Sequence, residues 1–563
     1  MPRMPGGTGF GGRSRGKFGI YAPNLTQYVS SPTRAQAPGV TVVPRNVYLD
    51  TNNGDDTYNG LSVHSPKATW AAAYALLRDD SSDTLNIALG SAWVDEQVIW
   101  AKSGESVDRP LTVTCYDPPQ TPGQTARPKF TITTDTFAWQ ISGVQSYLQF
   151  ECLHLVGPGG DADVADRLAI DGIGDLRYSS IDDFYFEKWW ECFTMSGGTG
   201  SQYVTFDKCI FYDLYKQPGI IARTTDFVFT RCLVDKINTT STFGLGFYGS
   251  EYDNINPTIH ACAFHDIPNG INMRSGGVIT WNLFSYCKMS CSIGGGWEPF
   301  PGGVDFTAHH NVVTEQQNGT DAAPWGYVLQ NVRSGSFYEN IHCNPSGAFD
   351  MWNVLGMDAS NPGKNASWPH GEMIQDLLVY GNILGYGHTT PDSGNTGAYR
   401  ATIDATNPSA VWQNVSIYNN DFIGPGGSLL VEDGDDVVYG GGVIAAYGNR
   451  FFRYGQGDVN WIYSYAGGAF TTGGLAHWKS ITGDPEPVIN SASTYEDPTG
   501  DYPDPDNATL AAYQTHVGGT PGHAGFFVDA RARLPKAELG IYDIENVVVP
   551  WMRAKFGKVD VDG

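Results

Sequence analysis

Acidic residues recur at nearly fixed distances after a position that repeats along the chain as Cys or Asn. Asp213 and Asp266 lie four residues after that position, and Asp235 lies three residues after it in another repeat. If the repeats stack like neighbouring strands, carboxylates lie about 5 Å apart on adjacent repeats and about 9–10 Å apart two repeats on. Retaining and inverting glycoside hydrolases use similar separations, and stacked like charges raise the pKa of one carboxyl, as a general acid requires. We therefore predict Asp213, Asp235 and Asp266 as catalytic residues, with a solvated acidic edge as the alternative.

Two basic residues offer a different chemistry. Lys208 and Arg231 both lie one residue before the repeated position, in neighbouring repeats. A polysaccharide lyase needs a base and a cation that neutralises the carboxylate of a uronate, and these residues would supply the cation. The alternative is a surface ion pair with nearby acids. The sequence leaves hydrolase and lyase both open.

Aromatic residues form a second row. Tyr338, Tyr380, Tyr418 and Tyr447 lie two residues before the repeated position. Sugar rings stack their CH faces on aromatic rings, although such a row also suits packing between repeats or a protein interface. We predict Tyr338 and Tyr380 as substrate-binding residues.

Longer segments between repeats add tryptophans to this prediction. Residues 344–375 and 386–412 are insertions, and such loops carry function more often than regular repeats do. We place a substrate groove near Trp297, Trp325 and Trp352.

The neighbouring histidines His309 and His310 suggest a metal site. A metal needs at least a third protein ligand, and none is apparent beside them in the sequence. We therefore predict no metal site and no cofactor.

All these residues take their positions from one repeat. Its template is apolar, any, apolar, any, any, Cys or Asn, any, apolar, as in "VTFDKCIF" and "FTAHHNVV". Successive copies are 20–31 residues apart, with two longer spacings of 42 and 38. Short strands at such a period, without helices between them, predict a parallel β-helix in which equal positions of successive coils form columns. The repeated positions are Leu153, Phe184, Cys209, Cys232, Cys262, Asn282, Asn311, Asn340, Asn382, Asn420 and Asn449.

The repeated position itself has a structural interpretation. Buried amides must be hydrogen-bonded, and stacked Asn side chains can satisfy one another and the turn backbone. We predict an inward column of thiols followed by an asparagine ladder, both structural and not catalytic.

The stretch "NVYLDTNNGDDTYNGLSVHSP", which begins at Asn46, is rich in Asp, Asn and Gly. A calcium loop of the EF-hand type needs a bidentate Glu at its twelfth position, where this chain has Leu61. The stretch instead resembles the opening segment of right-handed parallel β-helix proteins of the pectate-lyase-like superfamily, with Tyr48, the loop 54–62 and Thr69 in the matching places. The resemblance implies an all-β, right-handed parallel β-helix solenoid whose open end is capped by a short helix starting at Thr69.

Composition limits the classes of function. The 563 residues include 34 Lys and Arg and 59 Asp and Glu, a net charge of −25, which argues against binding of nucleic acid or anionic membranes. No apolar run of about 18 residues predicts membrane insertion, and the N-terminus lacks the apolar core of a signal peptide. The nine cysteines contain no CxxC pair and indicate buried free thiols instead of disulfides or zinc.

Three regions follow from this pattern. We interpret residues 1–45, which are basic, rich in Gly and Pro and without hydrophobic periodicity, as an extended anchoring arm, with a flexible tail without a role as the alternative. Residues 46–490 form the β-helix, and residues 491–563 form a small C-terminal cap of mixed or helical character.

A β-helix with an acidic body behind a basic arm resembles the tailspikes and related receptor-binding proteins of bacteriophages. The resemblance implies a virion protein that is made in the host cytoplasm and binds, and often hydrolyses, bacterial surface polysaccharide. It also implies attachment to virion tail proteins through residues 1–45 and assembly as a homotrimer. A bacterial β-helix polysaccharide lyase or hydrolase and a non-enzymatic structural virion protein are the alternatives.

Overall fold

A computed structural model of the chain describes the following residues: 43–134, 137–159, 168–172, 176–195, 202–221, 224–237, 245–249, 256–274, 276–294, 305–316, 325–330, 332, 334–342, 352–356, 373–385, 400–402, 411–423, 429–432, 444–452, 462–466, 469–473 and 488–490. By its internal contacts the chain divides into residues 1–43 and 44–563, and every element below belongs to the second unit. The predicted C-terminal cap and almost all of the predicted arm lie outside the described residues.

The elements are short strands and one helix. The first third of the chain forms β1 (Asn46–Leu49), α1 (Trp70–Leu76), β2 (Thr84–Ala88), β3 (Ala92–Val94), β4 (Val98–Trp100), β5 (Leu111–Tyr116), β6 (Lys129–Thr131), β7 (Trp139–Ile141), β8 (Gln145–Ser146), β9 (Leu148–Glu151), β10 (His154–Val156), β11 (Leu168–Asp171), β12 (Leu176–Asp182), β13 (Tyr185–Glu187) and β14 (Glu191–Met195). The middle forms β15 (Gln202–Asp207), β16 (Ile210–Leu214), β17 (Gln217–Ile221), β18 (Val228–Thr230), β19 (Leu233–Ile237), β20 (Leu245–Gly249), β21 (Thr258–His260), β22 (Ala263–Met273), β23 (Gly277–Thr280), β24 (Leu283–Gly294), β25 (Phe306–His309), β26 (Val312–Gln316), β27 (Trp325–Gln330), β28 (Gly335–Tyr338) and β29 (Ile341–His342). The last part forms β30 (Trp352–Gly356), β31 (Met373–Gln375), β32 (Leu377–Tyr380), β33 (Ile383–Gly385), β34 (Arg400–Thr402), β35 (Val411–Gln413), β36 (Val415–Tyr418), β37 (Asp421–Ile423), β38 (Leu429–Glu432), β39 (Ile444–Tyr447), β40 (Arg450–Phe452), β41 (Ile462–Ala466), β42 (Ala469–Gly473) and β43 (Val488–Asn490).

The strands stack as a parallel β-helix. One long sheet, the first sheet, contains β1, β2, β5, β8, β9, β12, β15, β18, β21, β23, β25, β28, β32, β36 and β39. All the other described strands belong to a second sheet, except β31 and β35, which pair with each other. Neighbours pair in parallel, apart from the antiparallel pair β41 and β42. The predicted all-β parallel β-helix is thus confirmed.

The core follows from the alternation of side chains along each strand. In the first sheet Phe150, Ile181, Phe206, Phe229 and Ile259 lie opposite one another on successive coils, and each is at most 1% exposed. Side chains two residues apart on a strand point the same way, so the residues between them face outward and are only half-buried. The outer face of the first sheet is therefore a regular array of side-chain columns.

The asparagine ladder is present as predicted. Asn282, Asn311, Asn340, Asn382, Asn420 and Asn449 are all 0% exposed. The Asn340 amide oxygen accepts the backbone N–H of Asn311 at 3.1 Å and its side-chain N–H at 2.9 Å, and Asn340 Nδ2 donates to Ala308 O and to Asn382 Oδ1, both at 3.1 Å. Both donors and both acceptor sites of the amide are used, which removes the cost of burying it.

The thiol column continues this ladder toward the N-terminus. Cys262 N–H donates to Asn282 Oδ1 at 2.9 Å, which joins the two columns. The Cys262 thiol donates to Phe229 O at 3.4 Å, the carbonyl position that the amide N–H of an Asn uses further along. Each thiol therefore replaces part of the hydrogen bonding of an asparagine, as a structural role requires.

The prediction of free thiols is wrong for two cysteines. Cys115 and Cys152 form a disulfide with their Cα atoms 6.0 Å apart. They lie on neighbouring coils, whose strands β5 and β9 pair, so stacking brings together residues that are 37 positions apart. The other described cysteines are buried thiols that are not disulfide-bonded, namely Cys192, Cys209, Cys232, Cys262, Cys287 and Cys291.

The predicted N-terminal cap is also present. Helix α1 begins after Thr69, whose hydroxyl accepts the Ala72 N–H at 3.3 Å, and it buries Trp70 and Ala73 against the core. In the preceding loop the Asp50 carboxylate accepts hydrogen bonds from Asn52 N, Asn53 N and Asn53 Nδ2. The carboxylate thus organises the loop through the chain's own amides.

Removing one rung should test the ladder. We expect Asn340→Ala to lower the free energy of unfolding by at least about 3 kcal/mol, because it leaves buried groups of Asn311 and Asn382 without partners. Urea denaturation followed by circular dichroism measures this loss. Asn52→Ala is the control, since it removes one exposed hydrogen bond to Gly90 O and should cost at most about 1 kcal/mol. Equal costs in the two variants would contradict the structural role of the ladder.

Candidate functional site

Three carboxyl groups stack on the outer face of the first sheet. Glu151 lies opposite Asp182, and Asp182 lies opposite Asp207 on the next coil. All three occupy the column two residues before the ladder position, and all three are half-buried. Neighbours in this column are separated by the strand spacing of about 4.8 Å, so the carboxylates feel one another strongly.

Tyrosines stack on the same three coils. The Tyr147 and Tyr178 rings are stacked with centroids 5.5 Å apart, and those of Tyr178 and Tyr203 at 4.7 Å. Each coil has the order Tyr, any, polar, any, acid, as "YLQFE", "YSSID" and "YVTFD". The acid–tyrosine array comprises Tyr147, Gln149, Glu151, Tyr178, Ser180, Asp182, Tyr203, Thr205 and Asp207. It joins aromatic surface, hydrogen-bonding groups and carboxylates in one patch.

The flanking carboxylates have different partners. Glu151 accepts hydrogen bonds from two neutral donors, the Gln149 amide and the Thr114 hydroxyl, the latter at 2.9 Å. Asp207 instead accepts both its hydrogen bonds from the Arg231 guanidinium, with Nε donating to Oδ1 at 2.7 Å and Nη2 donating to Oδ2. Arg231 therefore balances the charge of Asp207.

The middle carboxyl has the shifted pKa. Burial raises the pKa of Asp182 to about 7, and the negative charges of Asp207 and Glu151 act in the same direction. A 3.0 Å hydrogen bond from the Ser180 hydroxyl and the positive charge of Lys208 offset part of this rise. Asp182 can therefore hold a proton near neutral pH and release it to an acceptor.

The predicted catalytic acids are placed differently from the simple line assumed in the sequence. Lys236 lies between Asp213 and Asp266 in their column, and its Nζ is 2.7 Å from Asp213 Oδ1. The charges of this column thus alternate in sign, where the prediction assumed like charges. Asp235 belongs to the adjacent column, is 3% exposed, and lies opposite His265. The structure brings Asp213 and Asp235 onto neighbouring coils but at different positions, and their catalytic role stays a prediction.

Lys208 and Arg231 lie at the edge of the array. Both take a left-handed backbone conformation, with φ of 52°, in the turn before the ladder position. Arg231 is bound to Asp207, so its charge is already matched within the protein. The lyase interpretation needs that charge for a uronate, and the roles of Lys208 and Arg231 stay predictions.

The predicted aromatic row is a stack of rings. Tyr338 and Tyr380 have parallel rings with centroids 4.8 Å apart, and the stack continues to His309 at 4.7 Å and to Tyr418 at 5.0 Å. The ring faces are turned toward one another along the solenoid, so the row presents ring edges and hydroxyls outward. The faces of these rings are therefore occupied by one another and not open to a sugar ring, and the substrate-binding role of Tyr338 and Tyr380 stays a prediction.

The adjacent histidines belong to a network beside this stack. His310 Nε2 is 2.8 Å from a carboxylate oxygen of Glu339, and the Nδ1 atoms of His309 and His310 are 2.6 Å apart. Trp281 stacks on His310 with ring centroids 4.0 Å apart. No group of three or more potential ligands in a metal-holding arrangement occurs in the part of the chain that the structure describes.

The predicted tryptophan groove is described only in part. Trp325 begins β27, Trp352 begins β30, and the two residues lie opposite each other in parallel register. Trp297 and most of the two predicted insertions lie outside the described residues. The groove therefore stays a prediction.

Within the described ranges, no helix is long and apolar enough to cross a membrane.

The acid–tyrosine array was missed by the sequence reasoning although its signal is visible. The acids were sought after the ladder position, whereas Glu151, Asp182 and Asp207 all lie two residues before it. That column was recognised only where it contains tyrosines. The triple occurrence of Tyr four residues before an acid would have found the array.

Comparisons with known proteins identify no family for this chain. The sequence matches no protein-family model and no curated protein. Similar solved structures include a GH136 lacto-N-biosidase from Eubacterium ramulus, at 12% identity over 79% of this chain and 68% of that one, with a TM-score of 0.36. A mannuronic acid specific polysaccharide family 6 lyase from human gut microbiota is 11% identical over 74% and 88% of the two chains, with a TM-score of 0.44. The catalytic domain of a GH87 alpha-1,3-glucanase is 12% identical over 73% and 64%, with a TM-score of 0.38. Likenesses this low decide nothing about activity.

The raised pKa of Asp182 makes stability depend on pH. The folded state binds this proton more tightly than the unfolded chain, whose ordinary pKa is 3.8, so the stabilisation is complete below that value and is lost as pH rises through about 7. We expect Asp182→Asn to gain stability over the wild type between about pH 5 and about pH 8, by on the order of 2 kcal/mol after allowance for screening. Urea midpoints at several pH values measure this gain.

Asp55→Asn provides the matched control for this experiment. Hydrogen bonds from Thr57, led by its backbone N–H, hold the pKa of the exposed Asp55 below its usual value, so it stays ionised across the same range. Its difference from the wild type should be constant with pH. A constant difference for Asp182→Asn as well would show that Asp182 is not protonated near neutrality.

Proposed function

We propose that this protein is a glycoside hydrolase that cleaves polysaccharide on the acid–tyrosine array, with Asp182 as the general acid. The observation that carries the proposal is the stack of three carboxyl groups whose middle member has its pKa raised to about 7. Glycoside hydrolysis requires one protonated and one ionised carboxyl on either side of the scissile bond. Neighbouring coils provide such a pair in a fixed geometry.

Glu151 is the partner that we assign to Asp182. Carboxyl groups one coil apart are separated by about 4.8 Å, close to the separation of about 5–5.5 Å in retaining enzymes. Glu151 would attack the anomeric carbon while Asp182 gives its proton to the leaving glycosidic oxygen. Water then attacks the glycosyl ester on Glu151, Asp182 takes the proton of that water, and the anomeric configuration is retained.

Asp207 acts on this reaction through Asp182. Its carboxylate is bound by Arg231 on both oxygens, so it is a poorer nucleophile than Glu151, whose donors are neutral. Its negative charge helps to keep Asp182 protonated. The three carboxyl groups would thus have three separate roles, namely nucleophile, general acid and electrostatic support.

Variants of the three acids separate these roles. We expect wild-type protein to release new reducing ends from a bacterial polysaccharide, and Glu151→Gln and Asp182→Asn each to reduce kcat by about a hundredfold or more. Asp207→Asn should retain more activity and move the alkaline limb of the pH–rate profile to lower pH, because Asp182 loses its proton more easily. Asp213→Asn, Asp235→Asn and Asp266→Asn test the alternative acids in the same assay. Loss of activity in those variants alone would reject the assignment to Asp182.

A lyase would be recognised in the same experiment. β-Elimination shortens the polymer and leaves an unsaturated end that absorbs in the ultraviolet, whereas hydrolysis leaves none. Shortening with this absorbance would reject the hydrolase proposal and return Lys208 and Arg231 to consideration.

The setting that we infer is that of a phage tailspike-like virion protein that binds host surface polysaccharide. This inference rests on the sequence resemblance, with residues 1–45 attached to virion tail proteins and three copies in the assembly. A bacterial β-helix enzyme and a structural virion protein are the alternatives. Light scattering of the purified chain should give the mass of a trimer, and removal of residues 1–45 should abolish incorporation into virions without changing polysaccharide binding. A monomer that is absent from virions would contradict this setting.

A further inference from the structure

The column that contains Glu151, Asp182 and Asp207 does not end at the third acid. The strand registers continue it through Thr230, His260 and Thr280 to His309, Tyr338, Tyr380 and Tyr418, one residue for each coil. We call the last four residues the tyrosine ladder. Acids and tyrosines therefore occupy two ends of one straight row on one face of the solenoid.

The separation of the two ends follows from the coil spacing. Tyr338 lies six coils beyond Asp182 and Tyr418 lies eight coils beyond it, which places them about 29 Å and about 38 Å away. The segment between them is polar, and His260 Nδ1 and the Thr280 hydroxyl are hydrogen-bonded to each other at 2.9 Å. A rigid row of this length fits an extended chain molecule and exceeds the reach of a short oligosaccharide.

We propose that the tyrosine ladder is a remote subsite that holds the far part of the same polysaccharide chain whose bond is cleaved at the acid–tyrosine array. The ladder presents phenol edges at the regular coil spacing, which suits hydrogen bonds to successive sugars of a chain lying along the solenoid. In taking the array as the catalytic end, this inference rests on the proposed function.

The charge of the face identifies the class of chain. Asp305 and Asp376 flank the ladder at the turns before β25 and β32, and they accept hydrogen bonds from neutral groups, the Ser334 hydroxyl and the Asn414 amide. A polyuronate would be repelled by these carboxylates beside the ladder, so the substrate is a polysaccharide without a negative charge on each sugar.

The test measures how affinity depends on chain length. Asp182→Asn protein, in which cleavage is suppressed, is titrated with dextran, galactomannan and neutral O-antigen polysaccharides, each separated into short and long fractions, and with polygalacturonate. We expect one neutral polymer to bind more tightly as a long fraction than as a short one. Adding Tyr338→Phe and Tyr380→Phe should weaken binding of the long fraction by about tenfold, because each loses a hydroxyl while the ring stack is kept.

Tyr58→Phe is the matched control, since Tyr58 is an exposed tyrosine in the N-terminal loop, away from this column. It should leave the affinity unchanged. Equal affinity for long and short fractions, an unaffected double variant, or no binding of any polymer would overturn the proposal, and tighter binding of polygalacturonate would overturn the substrate class. Length-dependent binding without cleavage by wild-type protein would reject the hydrolase and support the subsite, so the two proposals can fail separately.

Discussion

The hydrogen-bonded asparagine ladder is the interaction on which the rest of the molecule depends. Each buried amide joins a coil to a neighbouring coil through backbone and side-chain groups, and inner members such as Asn340 use both N–H groups and accept two hydrogen bonds. A slip of one residue would remove the amide from its place in the ladder and would turn the outward columns into the core. The ladder therefore fixes the register, and the register decides which surface residues become neighbours.

The candidate site shows how this register produces chemistry. None of the three acids is near another in sequence, yet stacking places Asp182 between Glu151 and Asp207. Burial of Asp182, together with the negative charges of its two neighbours, raises its pKa and keeps the proton on the middle group. In the column of Asp213 and Lys236 the charges alternate, and the result there is an ion pair. In this fold a column of alternating charges forms ion pairs, whereas a column of carboxyl groups can produce a proton donor.

Much of the fold could be predicted because the repeat can be recognised directly in the amino-acid sequence. The Asn282 to Asn449 ladder, the inward Cys column and the helix after Thr69 all follow from local patterns and the need to satisfy buried polar groups. The disulfide between Cys115 and Cys152 could not be predicted, since it depends on how coils of unequal length come together. The raised pKa of Asp182 could not be predicted from the sequence either, because it depends on burial and on charges contributed by two other coils. The orientation of the Tyr338 ring was missed for the same reason, as the next ring decides it.

The rise from one coil to the next is constant, so equivalent residues on different coils are separated along the axis by whole multiples of that rise. Loops between strands differ in length by many residues, as the step from Asn340 to Asn382 shows, yet each coil advances the axis by the same amount. Features on one face can therefore be moved apart or together only in whole coils, by duplication or deletion of a complete repeat. A substitution within a coil changes the side chain at that position but leaves its axial position unaltered. The distance between two surface features and the chemical character of each feature can therefore change independently in evolution.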